Sequence, residues 1–202
     1  MRKNILILIL LIHSLCHLNA GSVLIVMGPS CVGKSTTIKT LTQQLGSAWK
    51  IVDFDKIEIA SKAACKKEND ESIFKQVIQN ANDILFTNDN VIIDTNVYFA
   101  QHENFLNNTK VQHLLLHAPL DILIKRDQNR SRIIGRTEIR AQYAHDYVIE
   151  SFERFFYNPN QSDYLQNSQP QAKVAYDCLL STNSNSFEND LLEFIQHILN
   201  NN

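Results

Sequence analysis

The chain has 202 residues, of which 44% are hydrophobic and 20% are charged, and its formal net charge is −2. This length suits one α/β domain with a buried core and is too short for two domains of ordinary size. The composition excludes a disordered protein, and the near-neutral charge gives no reason to expect a nucleic-acid partner.

Residues 1–20 differ from the rest of the chain. A short basic start is followed by the aliphatic run 5–12, and the stretch ends on Leu18-Asn19-Ala20. This order predicts a signal peptide and therefore export to the periplasm or the outside of the cell. The apolar run is too short to anchor the chain stably in a membrane. The alternative is an additional strand or a disordered leader, which would leave the protein in the cytoplasm.

From residue 21 onward, short β-branched runs alternate with amphipathic stretches, which is the pattern of a parallel sheet covered by helices. The predicted strands are 22–27, 50–54, 91–93, 112–116 and 174–180. The first predicted helix begins at residue 34, and the next two span 57–65 and 73–86. One helix begins at residue 120, a longer one ends near residue 156, and the last spans 187–199. The polar stretch 158–171 contains two prolines and is predicted to be a loop. Residues 21–202 are thus expected to form one three-layer α/β domain with a five-stranded parallel sheet.

The segment between the first strand and the first helix matches the phosphate-loop (Walker A) pattern G-x-x-x-x-G-K-[ST]. Its residues are Gly28, Pro29, Ser30, Cys31, Val32, Gly33, Lys34 and Ser35, and Thr36 extends the predicted nucleotide-binding segment. The glycines allow a tight turn that points N–H groups at phosphates, and the helix adds its positive N-terminal end. We expect Lys34 to bridge the β- and γ-phosphates and Ser35 to bind Mg²⁺. The alternative is an ordinary glycine-containing turn with a surface lysine.

Three carboxylates are expected at the carboxyl ends of strands, where ligands bind in open α/β sheets. Asp53 and Asp55 end the second predicted strand, and alternation places them on the same side of it. Asp55 is predicted to accept the proton of a substrate hydroxyl, although either residue could simply cap the following helix. Asp94 ends the third strand as a Walker B aspartate would, and is predicted to hold Mg²⁺.

An arginine-rich segment follows the fourth strand. Arg126 and Arg130 share one helical face, and Arg136 and Arg140 share another, with Gly135 between the two pairs. Guanidinium groups on a mobile segment can neutralise the charge that develops on a transferred phosphoryl group. Arg126, Arg130 and Arg136 are therefore predicted to act in a lid. The alternative is a solvated helix face with surface ion pairs.

These residues resemble the chloramphenicol phosphotransferase-like branch of small P-loop kinases. The resemblance rests on the P-loop, on Asp55 at its distance from Lys34, on Val-Ile-Ile-Asp at 91–94, on Ala118-Pro119-Leu120 before the arginines, and on the segment 174–182. It implies a nucleoside-monophosphate-kinase-like sheet, ATP with Mg²⁺, Asp55 as the base and arginines in a lid. The polar stretch 158–171 and the leader depart from that pattern.

The sequence therefore predicts an ATP-dependent kinase that moves the γ-phosphate onto a hydroxyl of a small molecule. Two alternatives remain: an exported P-loop protein that binds nucleotide without turnover, and a guanylate-kinase-like nucleotide kinase. The identity of the phosphate acceptor stays open. Its pocket is expected in residues 98–105 and 158–171, and these contain no motif.

Overall fold

The computed structural model describes residues 21–64, 70–87, 89–96, 110–157, 165–166 and 169–201. The predicted leader at 1–20, the acceptor region 98–105 and most of the stretch 158–171 lie outside these residues. No helix in the described ranges has the length and hydropathy needed to cross a membrane.

The strands and helices alternate as the sequence predicts. The strands are β1 (Ser22–Met27), β2 (Trp49–Asp53), β3 (Asn90–Thr95), β4 (Lys110–His117), β5 (Leu165–Gln166), β6 (Gln169–Pro170) and β7 (Cys178–Ser181). The helices are α1 (Lys34–Leu45), α2 (Phe54–Ala64), α3 (Asp70–Leu85), α4 (Leu120–Ile133), α5 (Glu138–Phe155) and α6 (Phe187–Asn201).

The main sheet has five strands in the order β2-β3-β1-β4-β7, and every pair in it is parallel. The prediction of a five-stranded parallel sheet is confirmed. The central strand β1 is buried along its whole length, as expected for a strand covered on both faces. Its carboxyl end is the start of the P-loop, so the sheet places that loop at the middle of its ligand-binding edge.

Alternation along β1 divides the core between the two faces of the sheet. Leu24 and Val26 pack with α1, α5 and α6, whereas Val23 and Ile25 pack with α3 and the start of α2. Successive side chains of a strand point to opposite faces of the sheet, which produces this division. The result is the predicted three-layer arrangement of helices, sheet and helices.

The structure differs from the sequence prediction at several element ends and within the stretch 158–171. Phe54 begins α2 instead of ending β2. The fifth strand begins at Cys178, not at residue 174, and just before it the carboxylate of Asp177 accepts the backbone N–H of His113 (2.7 Å). The stretch predicted as a loop contains the short antiparallel pair β5–β6.

Candidate active site

The P-loop follows β1 in a conformation that its glycines make possible. Gly28 has a φ of 151°, and a Cβ atom there would lie 2.6 Å from the carbonyl oxygen of Leu116. Gly33 has a φ of 105° and caps α1. Larger residues would be strained at both positions, so the two glycines of the motif are required by the backbone itself.

The loop delivers the N-terminus of α1 to an open cleft. The first helical hydrogen bond runs from the N–H of Thr37 to the oxygen of Gly33 (3.0 Å). The N–H groups of Lys34, Ser35 and Thr36 therefore have no acceptor within the helix. Together with the helix dipole they form a site suited to an anion.

The cleft at the N-terminus of α1, called the phosphate cleft below, has a volume of about 410 Å³. It brings together residues from the P-loop, from the ends of β2 and β3, and from α4. Its lining residues are Ser30, Cys31, Gly33, Lys34, Ser35, Thr36, Asp55, Asp94, Asn96, Arg126 and Arg130. Of the side chains predicted to do chemistry, Arg136 alone is missing from this lining among the described residues.

Lys34 is buried, and its ammonium donates to three acceptors. These are the carbonyl oxygens of Gly28 (3.1 Å) and Pro29 (3.1 Å) and the side-chain oxygen of Asn96. Burial lowers the pKa of Lys34, and the charges of Asp94 and Asp55 oppose that shift. A lysine has three N–H donors, so a phosphate that binds Lys34 must displace or share at least one of these acceptors.

Asp53 and Asp55 bond to different partners in the structure. Asp53 is the N-cap of α2, because its carboxylate accepts the N–H of Lys56 (3.0 Å) and pairs with the Lys56 ammonium (3.1 Å). Asp55 lies in the first helical turn, and its two oxygens accept from the amide nitrogen of Asn96 at 2.9 and 3.2 Å. Asp55 is exposed at the cleft; its partial burial there raises its pKa, and the charge of Lys34 opposes that shift.

Asp94 lies at the end of β3, in register with Asp53 on β2 and Val26 on β1. Burial raises its pKa to about 6, while the charge of Lys34 opposes that shift. Its carboxylate and the hydroxyl of Ser35 line the same cleft. Oxygen ligands of this kind, completed by phosphates and water, suit Mg²⁺. No group of three or more His, Cys, Asp or Glu side chains in the described ranges forms a separate metal site.

Arg126 is fastened to the P-loop and to the chain that follows β7. Its guanidinium donates to the carbonyl oxygens of Cys31 (3.4 Å) and Val32 (3.2 Å) and to the hydroxyl and carbonyl oxygens of Thr182 (3.0 and 3.1 Å). Thr182 also donates to the oxygen of Val32 (2.7 Å). Arg126 and Thr182 thus hold the P-loop against the chain that follows β7.

The other two predicted lid arginines are placed differently from each other. Arg130 is exposed and lines the phosphate cleft. Arg136 instead pairs with the buried carboxylate of Asp127 (2.8 Å) and donates to the hydroxyl of Ser131 (2.8 Å). In this arrangement Arg136 closes the turn between α4 and α5 and does not line the phosphate cleft.

A second cavity of about 540 Å³ adjoins the phosphate cleft and shares Cys31, Gly33, Thr36 and Arg126 with it. Its remaining lining is more apolar and comes from the P-loop, from α1, from α6 and from the chain between β7 and α6. Those residues are Val32, Thr37, Thr40, Thr182, Phe187, Glu188, Leu191 and Leu192. The two cavities therefore lie side by side, one with a polar lining and one with a more apolar lining.

Solved kinases share this architecture. A gluconokinase from Sinorhizobium meliloti 1021 matches with a TM-score of 0.54 and 14% identity, over 91% of this chain and 95% of that chain. A shikimate kinase from Bacteroides thetaiotaomicron matches with a TM-score of 0.52 and 14% identity, over 89% and 98% of the two chains. A sugar kinase from Janibacter sp. HTCC2649 matches with a TM-score of 0.50 and 13% identity, over 87% and 93%. The chain has the P-loop fold of small kinases. In sequence it matches no protein family and no curated protein at a significant level.

Two residues of this P-loop site escape the sequence analysis. Asn96 follows β3 and contacts both Lys34 and Asp55, and Thr182 follows β7 and contacts Val32. Both are polar residues just beyond the carboxyl end of a strand, which is the one signal that could have indicated them. Their partners are 41 to 150 positions away in the chain, so no local pattern reveals the contacts.

Proposed function

We propose that the protein is an ATP-dependent phosphotransferase that acts on a hydroxyl of a small molecule, as the chloramphenicol phosphotransferase-like resemblance suggests. The observation that carries this proposal is the bonding of Lys34 and Asp55 to the same amide within the phosphate cleft. A phosphate-binding lysine and a carboxylate capable of acting as a base thus stand on one anion site. The similarity of fold to small kinases supports the same reading.

The proposed nucleotide position follows from the two adjoining cavities. The phosphates would lie on the N–H groups at the start of α1, with Lys34 at the β- and γ-phosphates. The nucleoside would extend past Cys31 and Arg126 into the more apolar cavity beside α6. When bound, Mg²⁺ would neutralise charge on the phosphates, and Ser35 and Asp94 would be its protein ligands.

The proposed chemical step is a single phosphoryl transfer. Asp55 accepts the proton of the acceptor hydroxyl while that oxygen forms a bond to the γ-phosphorus. The bond between this phosphorus and the β,γ-bridging oxygen breaks, and the products are the phosphorylated acceptor and ADP. Arg130, which is exposed and lines the cleft, is suited to stabilise charge on the transferred group.

The test is release of ADP from ATP and Mg²⁺ across a panel of hydroxylated acceptors, with Lys34→Ala and Asp55→Asn beside the wild type. The matched controls are Lys125→Ala and Asp121→Asn, which alter an exposed pair on α4. We expect acceptor-dependent turnover in the wild type and the controls and its loss in both site variants. A folded wild-type protein that binds no nucleotide would overturn the proposal. Binding without turnover on any acceptor would favour the nucleotide-binding alternative.

We further propose that residues 1–20 direct export of the domain. Their sequence pattern is the support for this proposal. Cell fractionation of the full chain beside a variant without the leader is the test, with mass spectrometry of the mature N-terminus. A full-length, uncleaved protein in the cytoplasm would refute export.

A further inference from the structure

Asn96 joins the phosphate-binding lysine to the proposed base through one side chain. It lies just beyond β3 and is 9% exposed. Its Oδ1 atom accepts from the ammonium of Lys34, and its Nδ2 atom donates to Oδ1 and Oδ2 of Asp55 at 2.9 and 3.2 Å. The three side chains come from α1, from the start of α2 and from the end of β3.

The charges on either side fix the orientation of this amide. The reversed amide would direct its N–H groups at the ammonium of Lys34 and its oxygen at the carboxylate of Asp55, and both contacts would be repulsive. Lys34 therefore holds the N–H donors of Asn96 towards Asp55. A carboxylate that accepts a hydrogen bond is favoured in its ionised form, which is the form a base requires.

The donor from Asn96 acts against surroundings that disfavour ionisation of Asp55. Limited solvation raises the pKa of Asp55, and Lys34 and the bond from Asn96 oppose that shift. The charged or titratable groups that interact with Asp55 come from α1, β2, α2, β3 and α5; they are Lys34, Asp53, Glu58, Asp94 and Tyr147. Among these, Lys34 alone carries a positive charge.

We propose that Asn96 is a positioning residue for phosphoryl transfer, which orients the carboxylate of Asp55 towards the acceptor hydroxyl and keeps it able to take the proton. This inference rests on the proposed function, since Asp55 is the base of that reaction. It assigns a role to a side chain that no part of the Walker A pattern includes. A base held in the correct orientation contributes to the rate because proton transfer requires hydrogen-bond geometry.

Two substitutions separate this role from simple anchoring of Lys34. Asn96→Asp keeps an oxygen for the Lys34 ammonium, removes the N–H donor to Asp55 and has nearly the same shape. Asn96→Ala removes both bonds. If Asn96 only anchors Lys34, Asn96→Ala should weaken ATP binding and leave the titration of Asp55 unchanged. If the donor to Asp55 matters, Asn96→Ala, which adds no charge, should raise the pH at which Asp55 titrates.

The experiment measures ATP affinity, kcat, KM and the pH dependence of kcat/KM for the full chain and both variants, after circular dichroism confirms folding. We expect kcat to fall by about 10-fold to 100-fold in Asn96→Ala, with ATP affinity changed by less than about threefold. The acidic limb of the pH profile should move to higher pH in Asn96→Ala and further in Asn96→Asp, which adds a negative charge beside Asp55. Retention of kcat and of the wild-type pH profile in Asn96→Asp would overturn the inference.

A measurement without turnover separates this inference from the proposed function. Carbon-13 NMR of the side-chain carboxyl groups, with the Asp55 signal identified from Asp55→Asn, follows the titration of Asp55 directly. We expect Asp55 to titrate at higher pH in both Asn96 variants even if no acceptor supports turnover. An Asp55 signal that titrates as in the wild type in both variants would refute the role of Asn96, whatever the outcome of the acceptor panel.

Discussion

Replacing Arg126 with alanine should destabilise the protein, because Arg126 fastens the P-loop to the chain after β7. The guanidinium donates to the oxygens of Cys31, Val32 and Thr182 at 3.0 to 3.4 Å. After its removal, the carbonyl of Val32 keeps the hydroxyl of Thr182 as a donor at 2.7 Å. The carbonyls of Cys31 and Thr182 lose the guanidinium as a donor.

The size of the effect follows from those two carbonyls. A lost hydrogen bond from a charged donor costs about 1.5 to 3 kcal/mol, and partial access of water reduces that figure. Arg126 is only partly buried, so the lower end applies and the two losses together reduce the free energy of unfolding by about 2–3 kcal/mol. In urea this corresponds to a midpoint lower by about 1 M.

Urea unfolding followed by circular dichroism measures this change, and Arg132→Ala is the matched control. Arg132 is an exposed arginine on the same helix, so its loss should cost less than about 1 kcal/mol. An Arg126→Ala variant as stable as this control would refute the fastening role. Loss of activity without loss of stability would instead restore the lid role that the sequence predicts.

Three other predictions concern buried ionisable groups. Lys34→Met should lower nucleotide affinity at least about tenfold, which calorimetric titration measures. The same variant should change the free energy of unfolding by less than about 1 kcal/mol, because the lost hydrogen bonds are offset by removal of a charge that burial disfavours. Urea unfolding tests this second part. The raised pKa of Asp94, about 6, means that its favourable contribution is complete below its unfolded value of 3.8 and is lost as the pH rises through 6. In metal-free buffer, Asp94→Asn should therefore be more stable than the wild type by about 2–3 kcal/mol at neutral pH and equally stable near pH 3.5. If the two proteins were equally stable at both pH values, this prediction would be wrong. Burial lowers the pKa of His117 to about 4, so its contribution is complete above its unfolded value of 6.5 and is lost as the pH falls through 4. Between pH 7 and pH 4, His117→Asn should lose about 3 kcal/mol less stability than the wild type, and parallel pH profiles would exclude this.

Asp53 and Asp55 show how the end of one strand decides which side chain reaches the cleft. The sequence places both at the end of one strand, where alternation puts them on the same side. In the structure β2 ends at Asp53, which caps α2, and the first helical turn carries Asp55 into the cleft. The capping alternative is confirmed for Asp53, whereas Asp55 lines the phosphate cleft.

Local pattern alone predicted a five-stranded parallel sheet, its helix layers and the phosphate loop, but not the order of the strands. The spacing of apolar residues along a short segment distinguishes a strand from a helix. The P-loop glycines are needed for the positive φ angles of the loop, which is also a local property. The tertiary structure decided which side chains meet. Asn96 contacts residues 41 and 62 positions away, and Arg126 reaches the P-loop across 94 positions. The physical reason is that a parallel sheet brings the carboxyl ends of distant strands to one edge, and the sequence carries no signal for which polar residues will pair there.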